Sequence, residues 1–335
     1  MQKRKLGYSD LYLTTIGLGT WALGGGDWRW GWGAQDDADS IATIHRALDL
    51  GINWLDTAAA YGLGYSEEVI GKAIAGRRDD VILATKCGLV WDDKSTGEVK
   101  NRLKADSVRR EAEASLRRLG VETIDLYQIH WPNPDEDLEE AWAAIAGLVK
   151  EGKVRYAGAS NFSVAQLKRV QAIHPVASLQ PEYSMLKRGV EDELLPYCAE
   201  NDIGIIAYSP LRSGILTDKF GQERLDTLAE NDWRRGDPDF QGPRAAINVA
   251  FTEKLRDIAA GIDQSLARLA IAWVLAHPAV TSAIVGARRP DQIEVSAPAG
   301  DIELPQEVVT QIDALLAQRD DNLAAAGAAA NESLR

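Results

Sequence analysis

The chain has 335 residues, enough to bury a large core as one α/β barrel or as two domains, and its 45% apolar and 26% charged content is that of a soluble globular protein. A net charge of −13 excludes the basic stripe of a nucleic-acid binder. No run of about 18 apolar residues is present to span a membrane, and the opening MQKRKLGYSDLYLTT lacks the apolar stretch and cleavage site of a secretory signal, so a cytoplasmic protein without membrane or nucleic-acid partners is expected.

The opening KLGYSDLYLT predicts a small β-hairpin that plugs the lower end of a barrel. Eight strand candidates follow: TTIGLGTW (14–21), INWLDTA (52–58), VILATK (81–86), IDLYQIHW (124–131), YAGASN (156–161), ASLQPEY (177–183), IGIIAYSP (203–210) and TSAIVGA (281–287). Most are apolar on consecutive residues, as strands covered on both faces should be. Helices separate them. Ile41, Ile44 and Leu48 share one face of the first, Val108, Ala112, Leu116 and Leu119 one face of the third, and Leu138, Trp142, Ile145 and Val149 one face of the fourth. Gly51, Gly120 and Gly152 stand where helices should stop.

Eight βα units in order predict a single closed (β/α)8 TIM barrel of the α/β class over residues 1–318, with 319–335 as a tail of frayed helix or disorder. Two connections are long, 22–36 after the first strand and 211–250 after the seventh. Both follow strand C-terminal ends, the face on which barrels build active sites. Two decoys fail. Gly17, Gly19 and Ala22 fit a dinucleotide fingerprint, but LGGGDWRWGWG cannot form the helix that motif needs. Tyr183 and Lys187 imitate another dehydrogenase pair, yet they lie just past the strand bearing Pro181, not on a long helix.

Ionisable residues collect at the strand ends. Asp56 ends the second strand with Tyr61 shortly after it, Lys86 ends the third and His130 the fourth. Their coincidence on consecutive strands points to one site for carbonyl reduction, in which a phenol protonates the developing alkoxide. An ammonium about 4 Å from the phenol contributes roughly 4 kcal/mol at an effective dielectric of about 20, enough to lower its pKa by up to about three units. Asp56 would hold Lys86 charged, and His130 would orient the substrate oxygen. No cluster has metal-ligand spacing, so no metal is expected, and Cys87 and Cys198 read as inert thiols.

These residues resemble a known family. DTAAAYG (56–62), ATK (84–86) and QIHWP (128–132) match the Asp, Tyr, Lys and His tetrad of the aldo-keto reductase superfamily. IGLGTWALGG, YSEEVIGKA, GASNFS, YSPLRSGILTDK and GARRPDQI extend the likeness through nearly the whole chain, toward the bacterial branch of general stress protein and inositol-locus reductases. The resemblance implies NADPH as cofactor. It places the nicotinamide amide on Ser160, Asn161 and Gln180, the ring on Tyr208, and the pyrophosphate along Ser209, Pro210, Leu211, Arg212, Ser213 and Gly214. Gly286, Arg288 and Gln292 would surround the adenosine phosphate, the long loop would bring Lys219 and Arg234, and Thr20 and Trp21 would lie beside the nicotinamide.

A 2′-phosphate demands guanidinium or ammonium partners, which Arg288 and Arg234 supply, whereas Arg235 and Arg289 read as solvated charges. Trp21, Trp91 and Trp131 are expected to line the substrate pocket, while Trp28, Trp30 and Trp32 fit either a pocket wall or a rim cover. The expected reaction is reduction of small aldehydes and ketones, with Tyr61 the proton donor, reversible toward small polyols. The rival reading is a cofactor-holding regulatory protein resembling potassium-channel β-subunits. Neither the substrate nor the oligomeric state follows from the residues.

Overall fold

The structure is a computed structural model that describes residues 1–332 apart from Asp27, Arg29 and Asn231; the last three residues of the tail lie outside it. Twelve strands are formed among the described residues: β1 (Lys3–Lys5), β2 (Tyr12–Thr14), β3 (Ile16–Gly19), β4 (Trp54–Asp56), β5 (Ile82–Cys87), β6 (Leu89–Val90), β7 (Lys100–Asn101), β8 (Ile124–Ile129), β9 (Val154–Ser160), β10 (Ser178–Gln180), β11 (Gly204–Ala207) and β12 (Val280–Gly286). The helices are α1 (Asp37–Asp49), α2 (Tyr65–Ala73), α3 (Ala105–Leu119), α4 (Leu138–Lys150), α5 (Val164–Gln171), α6 (Leu194–Glu200), α7 (Gln222–Asp226), α8 (Gly242–Gly261), α9 (Leu266–Ala276), α10 (Pro290–Ser296) and α11 (Gln306–Glu332).

Eight parallel strands close in the order β3-β4-β5-β8-β9-β10-β11-β12, with β12 returning to β3. The register levels their C-terminal ends, pairing Gly19 with both Asp56 and Gly286, Lys86 with Gln128, and Ser160 with Gln180. That row is where the site forms. The hairpin β1–β2 is antiparallel and caps the opposite end. Its Leu6, Leu11 and Leu13 join Trp54, Ala84, Leu126, Ile206 and Ile284 in one buried cluster. Gly17 makes room for this filling, since a Cβ there would lie 2.0 Å from the Trp54 indole.

Local signals agree with this layout. Asp36 caps α1 by accepting from the Ala38 and Asp39 amides, and Ser163 with Gln166 forms a capping box on α5. Gly120 ends α3 at φ +67°. Two expectations need correction. The connection after the seventh strand is not irregular to residue 250, because α8 begins at Gly242 with a proline in its first turn. The tail boundary at 318 falls inside α11, which packs on α8. Arg319, nearly buried, donates from Nε to Asn248 Oδ1 at 2.9 Å. Neither helix carries a clean polar face, so the pairing left no clear stripe in the sequence.

Candidate active site

The ends of β4, β5 and β8 bring the four expected residues together. Lys86 Nζ donates to Asp56 Oδ2 at 2.7 Å and to the Thr57 carbonyl at 2.8 Å, and lies 3.4 Å from the Tyr61 hydroxyl. Both Lys86 and Asp56 are buried, and a buried ammonium persists only when its donors are satisfied in this way. Asp56 Oδ1 in turn accepts from Gln180 Nε2 at 2.8 Å. The His130 ring stands edge-on to the Tyr61 ring at 5.7 Å. Tyr61 opens a tight turn in which Gly62, Leu63 and Gly64 all have positive φ. The backbone thereby reverses over the mouth of the barrel and leaves the phenol facing Lys86.

The electrostatics correct one expectation. Burial pushes the Tyr61 phenol well above its ordinary value, and the Asp56 carboxylate adds to the rise, so the phenol is not the stronger acid that a nearby ammonium alone would make it. Lys86 Nζ lies nearer to Asp56 than to the phenol, so its charge offsets only part of that rise. Burial lowers Lys86 while Asp56 opposes that fall. His130 is held well below its ordinary value by burial and by Lys86, so its imidazole is neutral at neutral pH. A phenol that stays protonated can still act as donor, because an alkoxide is far more basic than a phenolate.

Residues expected to hold a nicotinamide dinucleotide are continuous with this centre. Ser160 Oγ donates to the Gln180 carbonyl at 3.0 Å, Asn161 Nδ2 to the His130 carbonyl at 3.1 Å, and the Tyr208 hydroxyl to Asn161 Oδ1 at 2.9 Å. Beyond them Ser209, Arg212, Ser213 and Gly214 all have positive φ, a curled backbone of the kind that cradles anions. Arg234 closes over this turn, with Nη1 3.4 Å from the Ser213 carbonyl, and is itself paired with Asp232. The set fits the group: amide partners beside the tetrad, then an anion cradle, then cations.

Other expected contacts have different partners. Arg212 turns away from the cradle into a buried cluster, donating to Asp239 and Asp237 at 2.8 Å each. Pro210 is buried and Leu211 packs on the core, so these two shape the turn from behind. Thr20 Oγ1 donates to the Asp56 carbonyl at 3.0 Å and braces two strand ends. Gly286 ends β12 opposite Gly19. Gln292 accepts from the Arg288 amide at 2.7 Å. The Arg288 guanidinium reaches across to the first long loop, donating to Gln35 Oε1 at 2.7 Å, the Trp32 carbonyl at 2.9 Å and the Ala34 carbonyl. Lys219 is exposed and close enough to Asp291 to stabilise that carboxylate.

The aromatic wall also differs from expectation. Trp21 stacks on Tyr61 at 6.4 Å, whereas Trp91 lies under the Arg118 guanidinium at 5.9 Å and Trp131 is 43% exposed. Among the described residues, the rings against Tyr61 are Trp21, Trp28 at 6.2 Å and His130. Trp32 and Trp233 extend the wall from Trp21, at 5.6 and 5.8 Å. The indole of Trp30 is largely exposed while its carbonyl accepts from Trp21 Nε1 at 3.0 Å. Trp233 carried no warning beyond its place in a long loop, next to Arg234.

Residues 15–317 match the family model of the aldo/keto reductases. The chain belongs to the aldo/keto reductase family. It is 40% identical over 297 residues to the aldo-keto reductase YhdN of Bacillus subtilis (strain 168), covering 88% of this chain and 87% of that one. It is 34% identical over 318 residues to the NADH-specific methylglyoxal reductase of Escherichia coli (strain K12), covering 91% and 95%. Among solved structures, the glycerol dehydrogenase AKR11B4 from Gluconobacter oxydans superposes with a TM-score of 0.87 at 36% identity, covering 95% of this chain and 96% of that one. This aldo/keto reductase therefore shares its barrel and its oxidoreductase class with relatives that act on small oxygenated molecules.

Proposed function

We propose that this aldo/keto reductase is a cytoplasmic enzyme that reduces small aldehydes and ketones to alcohols with NADPH, and runs in reverse on small polyols. The observation that carries the reading is the Lys86 ammonium, 2.7 Å from Asp56 and 3.4 Å from the Tyr61 hydroxyl, with the neutral His130 ring beside the same phenol. A bound dihydronicotinamide would supply the hydride. Tyr61 gives the proton to the developing alkoxide, and Lys86 stabilises the negative charge left on the phenol. His130 orients the carbonyl oxygen. Trp21 and Trp28 pack against the phenol ring and limit its contact with bulk water.

Ser160, Asn161 and Gln180 would hold the nicotinamide amide, Tyr208 the ring face, and residues 209–214 with Arg234 the pyrophosphate. Arg288, Lys219 and Gln292 would take the adenosine phosphate. NADPH is proposed over NADH because Arg288 and Lys219 offer that end a guanidinium and an ammonium, and an arginine gives a phosphate two parallel bonds. The named relatives, a methylglyoxal reductase and a glycerol dehydrogenase, point to short substrates with more than one oxygen. The test is NADPH oxidation with short aldehydes, run beside NADH and beside Tyr61→Phe. Turnover that the variant loses while it still binds NADPH supports the assignment. Equal turnover in the variant overturns it.

A further inference from the structure

We propose that Glu67 is a positioning residue for this site, its buried carboxylate holding the Tyr61 turn and the Lys86 strand in fixed relation through Arg118 and Thr85. The proposal rests on the carbonyl-reductase reading above. Glu67 lies on α2 with no solvent exposure, and a carboxylate is costly to bury unless paired and hydrogen-bonded. Its Oε2 receives Arg118 Nε at 2.7 Å and Nη2 at 2.6 Å, and its Oε1 accepts from Thr85 Oγ1 at 2.6 Å. Thr85 directly precedes Lys86 on β5.

Arg118 carries the grip to the turn. A Cβ at Gly64 would lie 2.8 Å from Arg118 Cδ and 3.0 Å from its Nε, so the arginine presses against the turn's backbone. From the other side, a Cβ at Gly62 would lie 1.9 Å from the Gly24 carbonyl oxygen. Between these walls Leu63 is held at φ +54°, a left-handed conformation that a leucine keeps only where its surroundings enforce it. Tyr61 is the first residue of that strained turn. One wall is backbone and cannot be withdrawn; the other is Arg118, whose place is set by Glu67. The Trp91 ring covers the outer face of Arg118, so an aromatic foreseen as pocket lining instead shields this clamp.

When the clamp loosens, the turn relaxes toward unstrained backbone and Tyr61 leaves its station beside Lys86. Neither nucleotide nor carbonyl touches Glu67 in this scheme, so binding is spared and the chemical step is not. The experiment uses the full chain with Glu67→Gln, Arg118→Met and the double variant. It measures kcat, KM for a short aldehyde, NADP+ dissociation by tryptophan fluorescence, melting temperature, and the Tyr61 ring resonance by isotope-labelled tyrosine NMR assigned with Tyr61→Phe. Glu67→Gln should lower kcat by about 10- to 100-fold, the scale of loss from misplacing a reacting group by about 1 Å. KM and the dissociation constant should stay within about twofold, and the Tyr61 resonance should move.

Because both residues act through one clamp, the double variant should lose no more kcat than the worse single one. Losses that multiply, or a resonance that stays fixed while only the melting temperature falls, would reduce Glu67 to a structural brace and overturn the proposal. If Glu67→Gln fails to fold, Arg118→Lys at its partly exposed position carries the same readouts, with a smaller loss expected and an unmoved resonance overturning. Wild-type protein that turns over no carbonyl or alcohol would instead sink the reductase reading, and the Tyr61 resonance would still decide the clamp.

Discussion

Arg288, just past the end of β12, donates to the Trp32 carbonyl at 2.9 Å, so the guanidinium expected at the adenosine phosphate also fastens the aromatic loop that follows β3. Trp32 packs edge-on against Trp21, which stacks on Tyr61. The two ends of the proposed cofactor site are therefore joined through one loop.

Replacing Arg288 with alanine should weaken NADPH far more than NADH. A hydrogen bond to a charged group contributes about 1.5–3 kcal/mol, so the NADPH KM should rise roughly 10- to 150-fold, while NADH changes little. Loss of the loop contacts should also raise acrylamide quenching of tryptophan fluorescence. Equal effects on both nucleotides would remove Arg288 from phosphate recognition and leave it as a loop fastener.

Glu111 should make stability fall with rising pH. Burial pushes its carboxyl up to about 7 from 4.5, although the Gly88 amide and Ser107 hydroxyl donate to it. Between those values the folded chain keeps a proton that the unfolded chain has released, so stability is full below the lower one and is lost as pH rises through the upper one. The loss is on the order of 3 kcal/mol. Glu111→Gln should match the parent in urea unfolding near pH 4.5 and exceed it at pH 8. Parallel curves across that range would show that the carboxyl titrates normally.

Much of this was legible in the sequence, and the exceptions share a cause. The strands could be read because burial on both faces gives unbroken apolar runs such as VILATK. Asp56, Lys86 and His130 could be placed because each stands at a strand end, where the barrel itself fixes direction. Trp91, Trp131 and Trp233 could not, because loop rings go where distant partners such as Arg118 or Trp21 hold them. The acidity of Tyr61 was misjudged because a residue pattern reveals neighbours but not depth of burial.

Ending the chain after Gln318 should destabilise the barrel despite leaving every site residue in place. Arg319 stacks over Phe251 at 5.8 Å and bonds Asn248, whose own Nδ2 donates to the Asp239 carbonyl at 2.9 Å. Asp239 in turn anchors Arg212 at the edge of the anion cradle. Removing a buried charge-assisted bond costs about 1.5–3 kcal/mol. Thermal melting should fall, and NADP+ affinity should weaken with it. An unchanged melting temperature would show that α11 contributes nothing beyond residue 318.

Asp56→Asn separates the stability of the site from its chemistry. Lys86 has no exposed side-chain surface, and burial already lowers it against the pull of Asp56. Removing that carboxylate leaves an ammonium with only carbonyl and hydroxyl partners, a change that costs about 3–5 kcal/mol for a buried pair. The folded-state pKa of Lys86 then drops further below its unfolded value. In the window between the two, the unfolded chain binds more protons, so the variant's stability rises with pH and its deficit is largest at neutral and acid pH. Urea midpoints at pH 6 and 9 should therefore converge on the parent at the higher value. Turnover should not recover with them, because a neutral amine no longer stabilises the phenolate that Tyr61 becomes. A variant as stable as its parent at pH 6 would mean that the lysine is already neutral in the resting site.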